Sequence, residues 1–249
     1  MCRTACAAET RQPTRQPTQG SPSNGGTVVA MSYNTEYTGY SDGRVPGFGA
    51  KISEVAPDVV GLQECQDANA LAAAAPGYTV LGGTGPQNYI LYDASRLDAL
   101  ESGWMDVPRD CYAQRTVTWG KFQTRATGDE FWFFNTHLPH NGCAATDRNT
   151  HAAIARQLVD KRNELGASGT PMIVAGDCNP FASNGASEGS FESNLADRGI
   201  PLVYMGTGQF GGYGGLDKIF ATTEWTKIDA RDRGTGGSDH PAISASLRL

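Results

Sequence analysis

The sequence has no apolar run approaching the roughly 20 residues that cross a bilayer, so no segment reads as a membrane-spanning helix. It also lacks an excess of positive charge. Twenty Lys and Arg against 26 Asp and Glu leave a net charge of -6, which argues against a broad basic face coating nucleic acid but permits a local cationic groove. A negative protein acting on a negative substrate needs metal ions to screen the approach. His-Glu-x-x-His and paired Cys-x-x-Cys patterns are missing, and with them the expectation of structural zinc. The start, Met1 to Cys6, has no apolar centre of a secretory signal, so either a signal was removed or the native start is absent.

Residues 11–18 repeat Arg-Gln-Pro-Thr, and 20–26 are rich in Gly, Ser, Pro and Asn. This composition cannot form a core, so residues 1–26 read as a disordered tail or linker. No linker divides 27–249, which reads as one domain large enough to fold without disulfides.

The organising stretch is Pro171-Met172-Ile173-Val174-Ala175-Gly176-Asp177-Cys178-Asn179-Pro180, an apolar run bounded by proline that predicts a short buried strand. Alternation along a strand aims Asp177 and Asn179 together and Cys178 away. A carboxylate so placed can take a proton from water or bind a hard cation, and the amide can hold the attacking or a phosphoryl oxygen. The plainer reading is a strand that stops in an Asp/Asn turn.

The same pattern, an apolar strand and then one polar group, recurs at 27–34 with Asn34 and at 58–64 with Glu64. Further strands are predicted at 78–81, 89–92, 116–122, 131–136, 201–205, 216–221 and 242–248, with a hairpin turn at 126–129. Helices are predicted at 47–56, ended by Pro57, and at 66–75, ended by Pro76-Gly77. Two more are expected at 147–165, with Ile154, Leu158 and Leu165 on one face, and near 188–198. Several successive strands lack a helix between them, so a mixed layered sandwich fits better than a parallel doubly wound sheet.

Asn34, Glu64, His137, Asp177, Asn179, Asp217, Asp239 and His240 all fall at or near strand ends. If those ends meet on one rim, the chain has a hard-oxygen metal site beside two imidazoles. Asp217, a lone acid in an apolar strand, reads otherwise as an ordinary strand-edge acid, and His140 and His151 read as surface residues.

The strand ending at Asn34, Pro-Asp-Val-Val-Gly-Leu-Gln-Glu ending at Glu64, Asn-Thr-His-Leu at His137, Gly-Asp-Cys-Asn at Asp177, Leu-Asp-Lys-Ile-Phe at Asp217 and Ser-Asp-His-Pro at Asp239 resemble the endonuclease/exonuclease/phosphatase superfamily. Each motif is short, but all six stand in family order over 27–249. The resemblance implies an α+β fold, a four-layer α/β/β/α sandwich of two packed mixed sheets with outer helices. It also implies cleavage of a P–O bond with Mg²⁺ or Mn²⁺, Ca²⁺ being a further candidate.

Residue by residue, the resemblance makes Glu64 the main metal ligand with Asn34 beside it and Asp239 a further acid of the metal site. Asp177 and Asn179 orient or deprotonate the attacking water, His240 lies beside the phosphate, Asp217 orients His240, and His137 protonates the leaving oxygen. Such residues suit the reaction, which must neutralise phosphate charge, generate a nucleophile and protonate an alkoxide. Arg115, heading a strand, offers a bidentate phosphate contact or else an ordinary surface ion pair.

A phosphodiester hydrolase, foremost a nuclease on DNA or RNA, is thus expected, acting as a monomer. A phosphomonoesterase or sphingomyelinase-type enzyme is the alternative on the same fold. Tyr37, Tyr40 and Trp119 are candidates to stack on bases, or else core residues. A serine esterase using Ser187 in Gly185-Ala186-Ser187-Glu188-Gly189 is a distant rival, since no strand runs into the serine. A non-catalytic binding module on the same scaffold would have lost ligand residues, and none is lost.

Cys65 and Cys178 read as small core residues. Hairpin register places Cys111 opposite Cys143, which predicts a disulfide and, through it, an oxidising, extracellular setting.

Overall fold

The computed structural model describes residues 26–140, 149–180, 188–210 and 213–249. The expected tail, apart from Gly26, lies outside the described residues, as do Cys143 and Ser187. The expected Cys111–Cys143 pairing and serine elbow therefore fall outside them too.

In chain order the elements are β1 (Thr27–Asn34), α1 (Val45–Val55), β2 (Val59–Gln63), α2 (Ala68–Ala74), β3 (Tyr78–Val80), β4 (Ile90–Asp93), β5 (Leu97–Val107), β6 (Arg115–Thr124) and β7 (Glu130–His137). Then follow α3 (Thr150–Glu164), β8 (Met172–Asp177), α4 (Phe191–Ala196), β9 (Leu202–Met205), β10 (Gln209–Phe210), β11 (Tyr213–Gly214), β12 (Asp217–Ala221), β13 (Thr226–Asp232) and β14 (Ile243–Arg248). Two six-stranded sheets form, ordered β13-β14-β1-β2-β4-β3 and β5-β6-β7-β8-β12-β9. Each is mixed, with one parallel pair at its centre, β1 with β2 and β7 with β8.

The layers follow from alternation along strands that are buried on both faces. In β7, Phe131 and Phe133 join Ile173, Ile219, Val28 and Ile243 between the sheets, while Trp132 and Phe134 point outward to Ile154, Leu158 and Leu195 of α3 and α4. On the other sheet Met31, Tyr33 and Leu62 face outward against Phe48, Ile52 and Leu71 of α1 and α2. Each such aromatic contributes roughly 2–3 kcal/mol by leaving water. The result is the four-layer α/β/β/α sandwich.

The elements that sequence pattern missed are β5, β13 and the short β10–β11 hairpin. Both longer strands are sheet edges, largely solvent-exposed, with charged residues such as Glu101 and Asp106 or Lys227 and Asp229 along them. Exposed along most of their length rather than on one face alone, they show no apolar alternation, and charge at an edge discourages pairing with other chains. His151 corrects a second expectation. It is buried rather than on the surface, its Nε2 lying 2.8 Å from the Pro139 carbonyl oxygen.

Candidate active site

Strand register assembles the centre of the site. His137 pairs with Asp177 across the parallel β7–β8 ladder, and Asp177 pairs with Asp217 across the antiparallel β8–β12 ladder. Three functional side chains from positions 137, 177 and 217 thus lie in one row at one end of the second sheet. The neighbouring sheet ends its parallel pair at the same place, with Asn34 beside Gln63 and Glu64 next in the chain. The connection from β13 to β14 brings Asp239 and His240 over the row.

Gly176 makes the close approach of β8 to β7 possible, since a Cβ there would meet the Thr136 carbonyl oxygen at 2.2 Å. Below the row, Ser32, Gln63 and Asn135 form a fully buried polar link between the sheets. Gln63 Nε2 donates to Asn135 Oδ1 at 2.7 Å, and Asn135 Nδ2 donates to the carbonyls of Leu62 and Tyr89 at 2.8 and 2.9 Å. Sequence pattern gave no hint of Asn135, an amide inside an aromatic strand.

The carboxylate of Asp177 is the hub. Its Oδ2 accepts a hydrogen bond from Asn34 Nδ2 at 3.0 Å and lies 3.5 Å from His137 Nε2 and 3.8 Å from His240 Nε2, while its Oδ1 accepts the Asn179 N–H at 2.9 Å. Asn179 Nδ2 donates to the Leu138 carbonyl at 2.9 Å and sits 2.9 Å from His137 Nε2. Asn179 does not reach the site by simple alternation. It adopts φ 42°, as Glu36, Glu64 and Gln87 adopt φ of 50°, 55° and 62°, so strained backbone gathers around this rim.

Burial pulls the Asp177 carboxyl upward, but the charges of His137 and His240 and the hydrogen bonds from Asn179 and Asn34 bring it below the ordinary carboxylate range. The two imidazoles diverge. Burial, reinforced by the Arg115 charge, pushes His137 down to about 4. Burial also acts downward on His240, yet the hydrogen bond to Asp217 and the charges of Asp177, Asp217 and Asp239 lift it to about 10. His240 Nδ1 lies 2.8 Å from Asp217 Oδ2. Burial thus biases His137 toward its neutral form, while the acids around His240 bias that imidazole toward its protonated form.

Glu64 and Asp239 supply hard oxygen donors on the same rim. Glu64 accepts the Tyr37 N–H at 2.9 Å and Asn34 Nδ2 at 3.2 Å. Burial raises the Asp239 carboxyl, His240 opposes this, and the negative charges of Glu36 and Glu64 add to the rise. Two carboxylates lining one cleft fit a divalent cation, which would relieve their mutual repulsion. Asn34 turns its Nδ2 toward Glu64 and Asp177 and spends its Oδ1 on the Glu36 N–H at 2.9 Å. In this arrangement its amide nitrogen bridges the two acids. Asp177, Asp217 and His240 also lie close enough to share an ion, but the His240–Asp217 contact is already occupied by a proton.

Arg115 is buried, not a surface residue. Its Nε and Nη2 donate to Asp110 Oδ2 at 2.9 and 2.6 Å, and it lines the cleft with His137 and Asp177. The cleft has a volume of about 530 Å³. Of the expected stacking aromatics only Tyr37 lines it. Trp119 is buried against Phe134, and the Tyr40 ring packs on Phe48 with its hydroxyl 2.9 Å from Cys65 Sγ. Tyr112 and Gln87, also on the cleft wall, were not expected as site residues, and His140, three residues after His137, lines the cleft within reach of a substrate. Being loop residues, they carried no strand-end signal.

The model of the endonuclease/exonuclease/phosphatase family matches residues 31–240. No curated protein sequence matches the chain. Among solved structures, a mannosyl-6-phosphatase of Bacteroides thetaiotaomicron VPI-5482 superposes with a TM-score of 0.73 at 20% identity, covering 89% of this chain and 100% of that one. D. rerio TDP2, solved with a single-strand DNA product, gives 0.67 at 20% identity over 90% and 99% of the two chains. The human Nocturnin catalytic domain, solved with a sulfate anion, gives 0.67 at 16% identity over 90% and 94%. With the fold, the strand-end motifs and the family match in agreement, this chain belongs to the endonuclease/exonuclease/phosphatase family.

Proposed function

We propose that this chain is a divalent-metal-dependent phosphodiester hydrolase whose substrate is a nucleic acid, with Glu64 and Asp239 holding Mg²⁺ or Mn²⁺. The reading is carried by one observation, the convergence of His137, His240 and Asn34 on a single buried carboxylate, Asp177. The cation, when bound, neutralises phosphate charge.

The protein's own groups supply the rest. Asp177 accepts a proton from water as its oxygen attacks phosphorus, with Asn179 fixing the direction of attack. His240, kept protonated by Asp217, faces the charge that develops on phosphorus and gives its proton to the departing ester oxygen as the P–O bond breaks. Neutral His137 holds Asn179 in place. Arg115 keeps Nε and Nη2 on Asp110 and presents the remainder of its guanidinium to the phosphate.

A diester is favoured over a monoester by the exposed rings of Tyr37 and Tyr112 at the cleft, which give a second substituent on phosphorus something to contact. Phosphomonoester hydrolysis is the second reading, supported by the phosphatase among the proteins of like fold. Turnover of plasmid DNA, RNA, bis-nitrophenyl phosphate, nitrophenyl phosphate and sphingomyelin, each with Mg²⁺ and with EDTA, tests the proposal. Metal-dependent cleavage of nucleic acid and the bis-ester supports it, and turnover confined to the mono-ester or to sphingomyelin sinks it.

A further inference from the structure

The rim beside Arg115 carries an aromatic surface that the phosphate chemistry does not use. Tyr112, in the connection from β5 to β6, is 70% exposed, and its ring meets the His140 imidazole at 5.9 Å between centroids and 80° between planes. Both line the cleft that contains Asp177 and His240.

A loop tyrosine in water ordinarily keeps its conformational freedom, and binding to it means losing that freedom. Here one buried carboxylate fixes the backbone beneath both rings. Asp110 Oδ1 accepts the N–H groups of Tyr112 and Ala113, each at 2.8 Å, and Oδ2 accepts the His140 N–H at 3.1 Å. The same Oδ2 holds Arg115 at 2.6 and 2.9 Å, and the Asp110 side chain has no solvent exposure. The group that aims the guanidinium therefore also sets where Tyr112 stands relative to the phosphate site. The adjoining wall residue, Ala113, has no polar side chain for a sugar hydroxyl, whereas every base offers a π face.

We infer that Tyr112, set edge-to-face with His140, is a stacking subsite for a nucleobase joined through its sugar to the bound phosphate. The subsite rests on the phosphodiesterase reading and deepens it, naming a base-bearing ester as the preferred substrate. Tyr112 contributes affinity, and Asp110 is the positioning residue that presents it.

Binding without turnover tests this in the full chain carrying Asp177→Asn, which prevents consumption of the ligand. Calorimetric Kd values for thymidine 5′-monophosphate and ribose 5-phosphate, with Mg²⁺ present, are compared with and without Tyr112→Ala or Tyr112→Phe. The nucleotide is expected to bind about tenfold tighter than the sugar phosphate, with Tyr112→Ala erasing that preference and Tyr112→Phe keeping it. Equal binding of the two ligands, a preference that survives Tyr112→Ala, or binding of neither overturns the subsite. Failure of the turnover panel with the nucleotide preference intact overturns the phosphodiesterase reading alone. Tyr112 is largely exposed, so loss of the fold does not confound its substitution, and an unchanged Tm checks that.

Discussion

His137 and His240 face the same oxygen of Asp177 from 3.5 and 3.8 Å, yet one imidazole is pushed below its ordinary value and the other above it. Their chemical difference comes from the next contact out. His240 has Asp217 at its Nδ1, whereas His137 has the Arg115 charge nearby. Two identical side chains thereby receive separate roles at one pH.

Replacing Asp217→Asn removes the carboxylate that keeps the proton on His240. Wild-type His240 is protonated below about pH 10, so activity that needs this proton persists through neutrality and falls as pH rises toward 10. In the variant the imidazole moves back toward its ordinary value, because burial is then less opposed. The alkaline limb of the kcat–pH profile on bis-nitrophenyl phosphate is expected to shift down by about two units, so that kcat falls about twofold at pH 8 and roughly 50-fold at pH 10. An unmoved limb would show that Asp217 does not govern the proton.

Metal removal gives the second expectation. EDTA abolishes turnover, and added Mg²⁺ or Mn²⁺ restores it. Glu64→Gln, which keeps size and hydrogen bonding but removes a charged oxygen donor, raises the half-saturating metal concentration by about tenfold or more. A metal titration of initial rates reads this directly, and wild-type metal dependence in the variant counts against Glu64 as a ligand.

Gly176→Ala probes the sheet that carries the row of site residues. The new methyl group meets the Thr136 carbonyl, which is backbone and cannot swing away. The β7–β8 pair must separate, moving Asp177 relative to His137. A loss of about 1–3 kcal/mol in stability and about 10²-fold in kcat is expected. Urea unfolding and steady-state kinetics separate the two effects, and a variant with wild-type kcat would show that the spacing of these strands is not critical.

Asp110 links acid stability to the cleft rim. Burial raises its carboxyl, but the Ala113 N–H, the Arg115 charge and hydrogen bond, and the His140 N–H bring it down to about 2. A folded-state value below the unfolded one gives stability that is present above about pH 4 and lost as pH falls through 2. Asp110→Asn leaves Arg115 buried without its counter-charge and is expected to cost about 3 kcal/mol at pH 7, with a smaller difference from wild type near pH 2. Thermal unfolding across this range checks it, and parallel curves for the two proteins would disprove the linkage.

Much of the scaffold was legible because its central strands are buried on both faces. Phe131 to Phe134, Met172 to Ala175 and Val59 to Leu62 are near-continuous apolar runs, each followed by a polar residue that the fold places on one rim. The edge strands β5 and β13 were not legible, since they are exposed along most of their length and so carry no apolar alternation. The burial of Arg115 and His151 was not legible for a related reason. Local sequence cannot show that Asp110 folds back onto the arginine, or that the Pro139 carbonyl meets His151.

By itself, then, the order of residues determined which positions end apolar strands, and so which acids, amides and imidazoles are available to a site, because burial and strand period are local properties. Only the tertiary structure decided which of them touch. The β7–β8–β12 register sets His137, Asp177 and Asp217 side by side, and the approach of the sheet that holds β1 brings Asn34 to Asp177. Protonation is decided at the same level. A buried imidazole takes its charge state from partners tens of residues away in sequence, through desolvation and Coulomb interaction that act over distance in space.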